Sequence, residues 1–262
     1  MRSEFYMVLP SRSSRNIFPD NSATQFNVQL PQTFHLSGEW CVGLTEIQIP
    51  LTFQHVSVKN KENYVRVKLG GEDAELLESQ MKPGVYSDMN SFLHELNNLD
   101  CIKNHFVFNV QSGGFVEISQ KCTESCKNEY QHTLLLTKKL SKILGFEKGV
   151  TLFDDVEGGK ITSYRPANLR NGLPTTLMVY TDICQPYVTG DSHSPLLRTI
   201  PLELSDYTYN GVEIKNFSAP VYVNLISNCF QTIRIYIRDE YGHPIPFDYG
   251  TLTVTLHFKC IG

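Results

Sequence analysis

Cys122-x-x-x-Cys126 is the pair best suited to hold a metal in this chain of 262 residues. It lies near Cys101-x-x-x-His105 and is followed by His132. Thiolates and imidazoles from two such pairs could close a tetrahedral zinc site. Two details oppose this. Neither pair has the C-x2-C spacing of a zinc knuckle, and lysine and glutamate surround both cysteines in KCTESCKNEY. A solvated hairpin loop, with a disulfide or with two incidental thiols, fits the same residues. No metal or other cofactor is expected.

Other chemistries find still less. Nucleophilic catalysis needs an activated serine or cysteine beside a base, yet no G-x-S-x-G elbow is present and no cysteine sits in a protease context. The eight histidines are scattered, and His257, in the strand-like LTVTLHFKC, reads as a packed or surface residue. A glycosidase-like carboxylate pair would be invisible in sequence. The acidic clusters Glu72-Asp73 and Asp154-Asp155 fall in turn-rich segments and read as solvated charges. Gly158-Gly159-Lys160 lacks the upstream glycine of a phosphate-binding loop and the Ser/Thr directly after the lysine. Arg12 and Arg15 in SRSSR form the densest basic spot, either a modest contact or a flexible polar turn. We expect no enzyme and list no catalytic, cofactor or metal residue.

The bulk numbers agree with a protein-binding protein. A formal net charge of -4 argues against a nucleic-acid footprint. No run approaches the ~18 apolar residues of a membrane span, and MRSEFYMVLPSRSSR lacks a secretory h-region, so membrane insertion and export are not expected. The seven cysteines form an odd, scattered set rather than a disulfide framework, which fits reduced thiols and synthesis inside a cell.

The elements carrying these residues fall into three parts. Residues 1 to about 56 are β-rich: EFYMVLP, then ATQFNVQLP with Phe26, Val28 and Leu30 on one face, then LSGEWCVGLTEIQIP. Residues 57–165 read as an α+β insertion. Here YVRVKL is a strand, DMNSFLHELNNL is a helix with Ser87 as its cap and Asp88 in its first turn, and FVFNV-QSGG-FVEIS is a hairpin. A second helix, TKKLSKILGF, starts at Thr137 and stops at Gly145. Residues 166–262 return to strands: TTLMVYTDI, PLLRTIPLE, APVYVNLI, TIRIYIRD and GTLTVTLHFKC. In TIRIYIRD the isoleucines Ile233, Ile235 and Ile237 should face inward. Three strands before the insertion and five after it make eight, the jelly-roll number. The predicted fold is mainly β, a single jelly-roll β-sandwich of eight strands in two sheets. It comprises residues 1–56 plus 166–262 and carries the 57–165 lobe.

Within LSGEWCVGLTEIQIP the apolar parity slips: Trp40, Val42 and Leu44 share one face, Ile47 and Ile49 the other. A β-bulge or bend at Thr45-Glu46, beside Gly43, accounts for the slip, with Pro50 ending the pairing. Two short strands sharing a turn is the alternative. Glu46 then needs a hydrogen-bonding partner or solvent.

The first 50 residues resemble the N-terminal signature of the minor capsid, or penton, proteins of Polinton (Maverick) elements and adintovirus-like viruses. That signature runs F-Y-x-x-L-P-S-x-x-S, F-P-x-N, F-x-x-x-L-P and L-x-G-x-W-x-V-G-L-x-E-I. It is carried by Phe5, Tyr6, Leu9, Pro10, Ser11 and Ser14, by Phe18, Pro19 and Asn21, and by Phe26, Leu30 and Pro31. Its last piece falls on Leu36, Gly38, Trp40, Val42, Gly43, Leu44, Glu46 and Ile47. Similar places continue to IRDEYGHPIPFDYGTLTVTLHFK, while the cysteines of KCTESCKNEYQHT depart from the pattern. The resemblance implies a structural capsid protein, a homopentamer at the five-fold vertices of an icosahedral virion, beside a double-jelly-roll major capsid protein. It also implies a viral, transposon-borne or host-repurposed gene, and an inserted lobe available for attachment or decoration. The rival expectation is a carbohydrate- or receptor-binding β-sandwich, with Tyr207, Tyr209 and Asn210 of LSDYTYNGVE as its best residues.

Overall fold

A computed structural model describes residues 3–59, 61–69, 75–121, 132–147, 151–152, 159–203 and 207–262. The chain divides into two compact units, Met1–Phe53 with Pro174–Gly262, and Gln54–Leu173. Strands β1 (Glu4–Pro10), β2 (Gln25–His35) and β3 (Trp40–Leu51) open the first unit. The second unit holds β4 (Tyr64–Leu69), β5 (Leu76–Gln80), α1 (Met89–Asn97), β6 (Phe106–Val110) and β7 (Val116–Gln120). It continues with β8 (His132–Leu136), α2 (Lys138–Ile143), β9 (Thr151–Leu152) and β10 (Lys160–Thr162). The first unit resumes with β11 (Thr176–Thr181), the hairpin β12 (Tyr187–Thr189) and β13 (Ser192–Ser194), and β14 (Leu196–Pro201). It ends with β15 (Gly211–Asn216), β16 (Tyr222–Asn224), β17 (Cys229–Arg238) and β18 (Thr253–Cys260).

The first unit is a jelly-roll sandwich. One sheet runs β1-β18-β3-β15 with β16 also on β3; the other runs β14-β11-β17-β2. First-half strands pair with second-half strands in both sheets, so an insertion between β3 and β11 leaves the pairing intact. Period-2 patterning does what it should in β17: Ile233, Ile235 and Ile237 are fully buried. At one end of the sandwich, rings from both sheets stack. Phe5 lies 4.7 Å from Phe258 and 5.4 Å from Trp40, while Phe34 and Phe230 face them from the other sheet. The Trp40 indole N–H is satisfied by the Ser37 carbonyl at 2.9 Å.

The parity slip is a bulge in one continuous strand. Thr255 of β18 is opposite Glu46 but Leu256 is opposite Leu44, so Thr45 is the extra residue on β3. Its hydroxyl donates to the Thr255 carbonyl at 3.0 Å. Trp40, Val42 and Leu44 before the bulge, and Ile47 and Ile49 after it, therefore all reach the core. Glu46 is turned out, and its carboxylate accepts from the Gln48 amide at 2.9 Å. Pro50 ends pairing only on the β18 side, which stops at Gln48; β15 stays paired with β3 through Leu51.

Three other expectations need correction. The helix cap is Asp88, not Ser87: the Asp88 carboxylate accepts from the Ser91 N–H at 2.8 Å, the Ser91 hydroxyl returns to the Asp88 N–H, and Ser87 stands one residue outside. The strand sought in APVYVNLI is only its central three residues. The rest of that edge is β15, which precedes it, both lying end to end along β3. Alternation misses β15 because its pattern is inverted. Val212 and Ile214 point outward, while Glu213 and Lys215, opposite Ile49 and Ile47, point inward and pair with each other at 2.9 Å. Finally β2 runs past Pro31 to His35: Pro31 lies in a register shift, where Gln29 pairs with Thr232 and Phe34 with Phe230, so its missing N–H breaks no ladder pair.

The second unit packs α1 and α2 with the sheets β10-β7-β6 and β5-β4-β8-β9 around its own apolar core. Its acidic, turn-rich GGEDAELLES segment contains a strand, β5, at Leu76–Gln80. Thr137 caps α2 by accepting from the Leu140 N–H, and Gly145 ends it at φ +86°.

Candidate interaction surface

The order of β1, β18, β3 and β16 lines up one row of residues across the outer face of the first sheet: Tyr6, His257, Gly43 and Tyr222. Gly43 has no side chain, so Tyr222 can reach over it. The Tyr222 hydroxyl lies 2.7 Å from His257 Nδ1, and the Tyr6 ring stacks on the imidazole at 4.3 Å. Nε2 faces the Glu4 carboxylate at 3.3 Å. A Cβ on Gly43 would meet Pro220 Cβ and the Val221 carbonyl at 3.0 Å and Tyr222 Cδ1 at 3.2 Å. Burial raises the Tyr222 hydroxyl above its ordinary pKa, with Cys41 and neighbouring groups adding to the effect. The phenol is therefore not an activated nucleophile. His257 is a packed residue that ties three strands together.

The same outer face is rich in exposed apolar side chains. Tyr6 and Val8 on β1 are each 61% exposed, and Val212 and Ile214 on β15 are 62% and 56% exposed. Thr253, Thr255 and Gln48 lie between them. An antiparallel sheet with a free face ordinarily alternates apolar with charged or polar residues, and the other sheet does so. Its outer face carries Gln25, Asn27, Arg234 and Arg238 around the stacked rings of Tyr180 and Tyr236, 5.0 Å apart. The first face thus mixes these apolar side chains with Glu4, Glu46 and Lys259, while the second is polar around two stacked rings.

The open edge of β2 is closed by the loop between β1 and β2. The Asn21 side chain brackets Asn27, accepting from its N–H at 2.9 Å and donating to its carbonyl at 2.8 Å. Ser14 Oγ accepts from the Gln29 N–H at 2.9 Å, Ser22 Oγ from the Gln25 N–H at 3.2 Å, and Pro31 has no N–H to expose. Ser11 anchors the start of the loop: its N–H donates to the Leu252 carbonyl at 2.7 Å and its hydroxyl accepts from the Leu252 N–H at 3.0 Å. Ser11, Ser14, Asn21 and Pro31 stand out in the sequence only through a resemblance that assigns them no task, and Ser22 does not stand out at all; side-chain-to-backbone locks of this kind have no periodic signal.

The residues proposed for chemistry are not brought together. Cys101 is buried, with its thiol toward the Val65 carbonyl at 3.6 Å and its pKa raised by burial, while His105 is depressed by burial. Among the described residues no group of three metal-ligating side chains converges. Cys122, Cys126, Glu72-Asp73, Asp154-Asp155 and Gly158 lie outside the described residues. Lys160 belongs to β10 and faces Glu117 at 3.4 Å. Arg12 and Arg15 are exposed on the capping loop. The carbohydrate candidates are used internally. Tyr207 donates to the Phe53 carbonyl at 2.7 Å, Tyr209 donates to the Asp248 carboxylate at 3.0 Å, and Asn210 occupies a turn at φ +72°. No described helix is long and apolar enough to cross a membrane.

No protein-family model and no curated protein matches the chain. Among solved structures it is similar to the mavirus penton protein, at 11% identity over 99% of this chain and 100% of that one, with a TM-score of 0.47. It is also similar to a chain of the Sputnik virophage in its 3.5 Å cryo-EM structure, at 10% identity over 99% of this chain and 98% of that one, with a TM-score of 0.50. The likeness to the virophage chain is one of fold.

Proposed function

We propose that this chain is a structural capsid protein, a penton or minor capsid subunit of the Polinton and adintovirus-like kind. In this reading it forms a homopentamer at the five-fold vertices of an icosahedral virion, beside a double-jelly-roll major capsid protein. The observation that carries the reading is where the resembling residues fall. Ser14, Asn21 and Pro31 close the edge of β2, Trp40 anchors the ring cluster, and Gly43 admits Tyr222. The signature thus maps onto the devices that fix the jelly roll rather than onto a catalytic or ligand site. The fold likeness to a virophage chain over nearly the whole length gives further support. A ring needs two surfaces on each subunit that meet in the contact between neighbours, and the two differing sheet faces would serve as these in the reading proposed. The role requires no enzyme activity, cofactor, nucleic-acid contact or membrane insertion. Synthesis would be in the host cytoplasm or nucleus, and the residues of Gln54–Leu173 would form a separate lobe suited to attachment or decoration.

Native mass spectrometry and negative-stain imaging of the purified chain test this, alone and with a double-jelly-roll major capsid protein. Pentamers, or five-fold rings and occupied vertices on co-assembly, are the expected result. A chain that stays monomeric and joins no shell in co-expression removes the proposal.

A further inference from the structure

The second unit carries a depression that the capsid reading does not use. Val65 and Val67 of β4 are fully buried, so Tyr64, Arg66 and Lys68 on the same strand face outward. Arg66 stands opposite Glu78 of β5 on one side and Leu135 of β8 on the other. Lys61 lies in the turn before β4 at φ +55°, its N–H on the Val58 carbonyl at 3.1 Å, and Thr137 follows the end of β8. Lys61, Tyr64, Arg66, Glu78, Leu135 and Thr137 line an open cavity of about 320 Å³, at the small end of the range for ligand sites.

Most polar groups of this lining are unspent. Arg66 bonds Glu78 Oε2 through Nε at 2.6 Å, which leaves both terminal amino groups of the guanidinium, and Glu78 Oε1, without a bond among the described residues. Neither Lys61 nor Lys68 has an ion-pair partner among the described residues, and the Tyr64 hydroxyl has no hydrogen-bond partner there. Three cations thus face one carboxylate on this patch, in a chain whose formal net charge is -4. The Tyr64 ring and the Leu135 side chain, both half-buried, supply apolar surface beside the charges.

The floor of the cavity decides between ligand classes. β4 and β8 are interior strands of the β5-β4-β8-β9 sheet, so their N–H and C=O groups are spent in ladders and an extended peptide finds no edge to pair with. A phosphate cradle needs converging backbone N–H groups, which the same ladders withhold, and Glu78 repels a ligand more strongly the more negative charge it carries. We infer that this cavity binds a saccharide carrying one carboxylate or sulfate group. The anion lies between the Lys61 ammonium and the terminal amino groups of Arg66, whose fork suits a group with two oxygens. The apolar face of the sugar ring rests on Tyr64 and Leu135, while the Tyr64 hydroxyl and Glu78 Oε1 bond its hydroxyls. This site shares no residue with Tyr207, Tyr209 and Asn210. Binding is independent of the capsid reading; only its use for attachment by this lobe rests on that reading.

The test titrates the full-length protein with sialyllactose, lactose monosulfate, lactose and inorganic phosphate, followed by ligand-observed NMR. The first two probes carry a carboxylate and a sulfate and so tell the two sources of the anion apart. At least one of them should bind about tenfold more tightly than lactose or phosphate. Lys61→Asn removes the ammonium with a residue that tolerates the left-handed backbone, and Arg66→Lys keeps the charge but loses the fork; each should weaken the preferred probe about tenfold. Lys160→Asn makes the same charge change on the other sheet of the unit and should leave binding unchanged. Circular dichroism melting confirms that the variants are folded, and Lys61→Asn, on an exposed turn, serves if Arg66→Lys is not. Lactose or phosphate bound as well as the acidic sugars overturns the inference, and so does an equal loss in Lys61→Asn and Lys160→Asn. A chain that binds an acidic sugar but forms no pentamer and joins no shell removes only the capsid reading. One that occupies vertices and binds neither acidic sugar removes only this inference.

Discussion

Tyr222 spans the width of β3 to set its hydroxyl 2.7 Å from His257 Nδ1, and the space it crosses is the missing side chain of Gly43. Gly43→Ala therefore pushes against Pro220, Val221 and Tyr222 together. We expect a loss of about 1–3 kcal/mol, the usual cost of overpacking, visible as a lower denaturant midpoint with faster amide exchange at β16. Tyr222→Phe should cost about 1–2 kcal/mol by leaving the buried imidazole nitrogen without its partner. If Gly43→Ala is neutral, Tyr222 is not held across β3.

Thr45 is the single extra residue of β3 against β18. Deleting it puts Ile47 and Ile49 in the parity of Trp40, Val42 and Leu44 and leaves a regular ladder with β18, so all five side chains stay on the core face. The loss is the bend and the Thr45 hydroxyl's bond to the Thr255 carbonyl, about 1 kcal/mol. The deletion should keep cooperative unfolding of the sandwich, whereas Ile47→Ala, which empties a buried site, should cost about 2–5 kcal/mol. Thermal melts of the two variants distinguish them.

Asn21→Ala removes two hydrogen bonds from Asn27 and bares the β2 edge. The cost should be about 1–3 kcal/mol, accompanied by self-association that grows with protein concentration. Asn21→Asp, which keeps the acceptor but not the donor, should be intermediate. Light scattering and urea titration measure both effects.

His55 in the second unit is buried, and its Nδ1 accepts from the Tyr86 N–H at 3.0 Å. Burial, with Lys139 nearby, lowers its pKa from 6.5 to about 4. The folded unit thus resists protonation of a group that the unfolded chain protonates readily. Its contribution is complete above pH 6.5 and is lost as the pH falls toward 4, by about 2 kcal/mol once solvent relaxation is allowed for. Urea midpoints for the unit should fall across that window, and His55→Gln should flatten the slope.

Much of the fold was legible from alternation alone. β4 and β17 are regular because one face is apolar and the other polar, and the slip at Thr45 was readable because it broke that rule in a countable way. β15 was not legible, since Val212 and Ile214 face out and Glu213 and Lys215 face in, the reverse of what burial predicts. The cap at Asp88 was misplaced by one residue because Ser87 and Asp88 are equally good acceptors and only backbone geometry separates them. The edge locks at Ser14 and Asn21 join residues 15 and 6 positions apart through a loop without periodicity. Composition has no access to such a pairing.

The Asn21 lock has a consequence for how such a chain can diverge. It bonds the backbone of Asn27 and ignores the side chain there, so the outward positions of β2 are free to change without opening the edge. The few residues that grip main chain are held to their identities by geometry, while the faces they frame can drift with each new neighbour. A chain built this way can change both outward faces of its sandwich and still keep the edge of β2 closed.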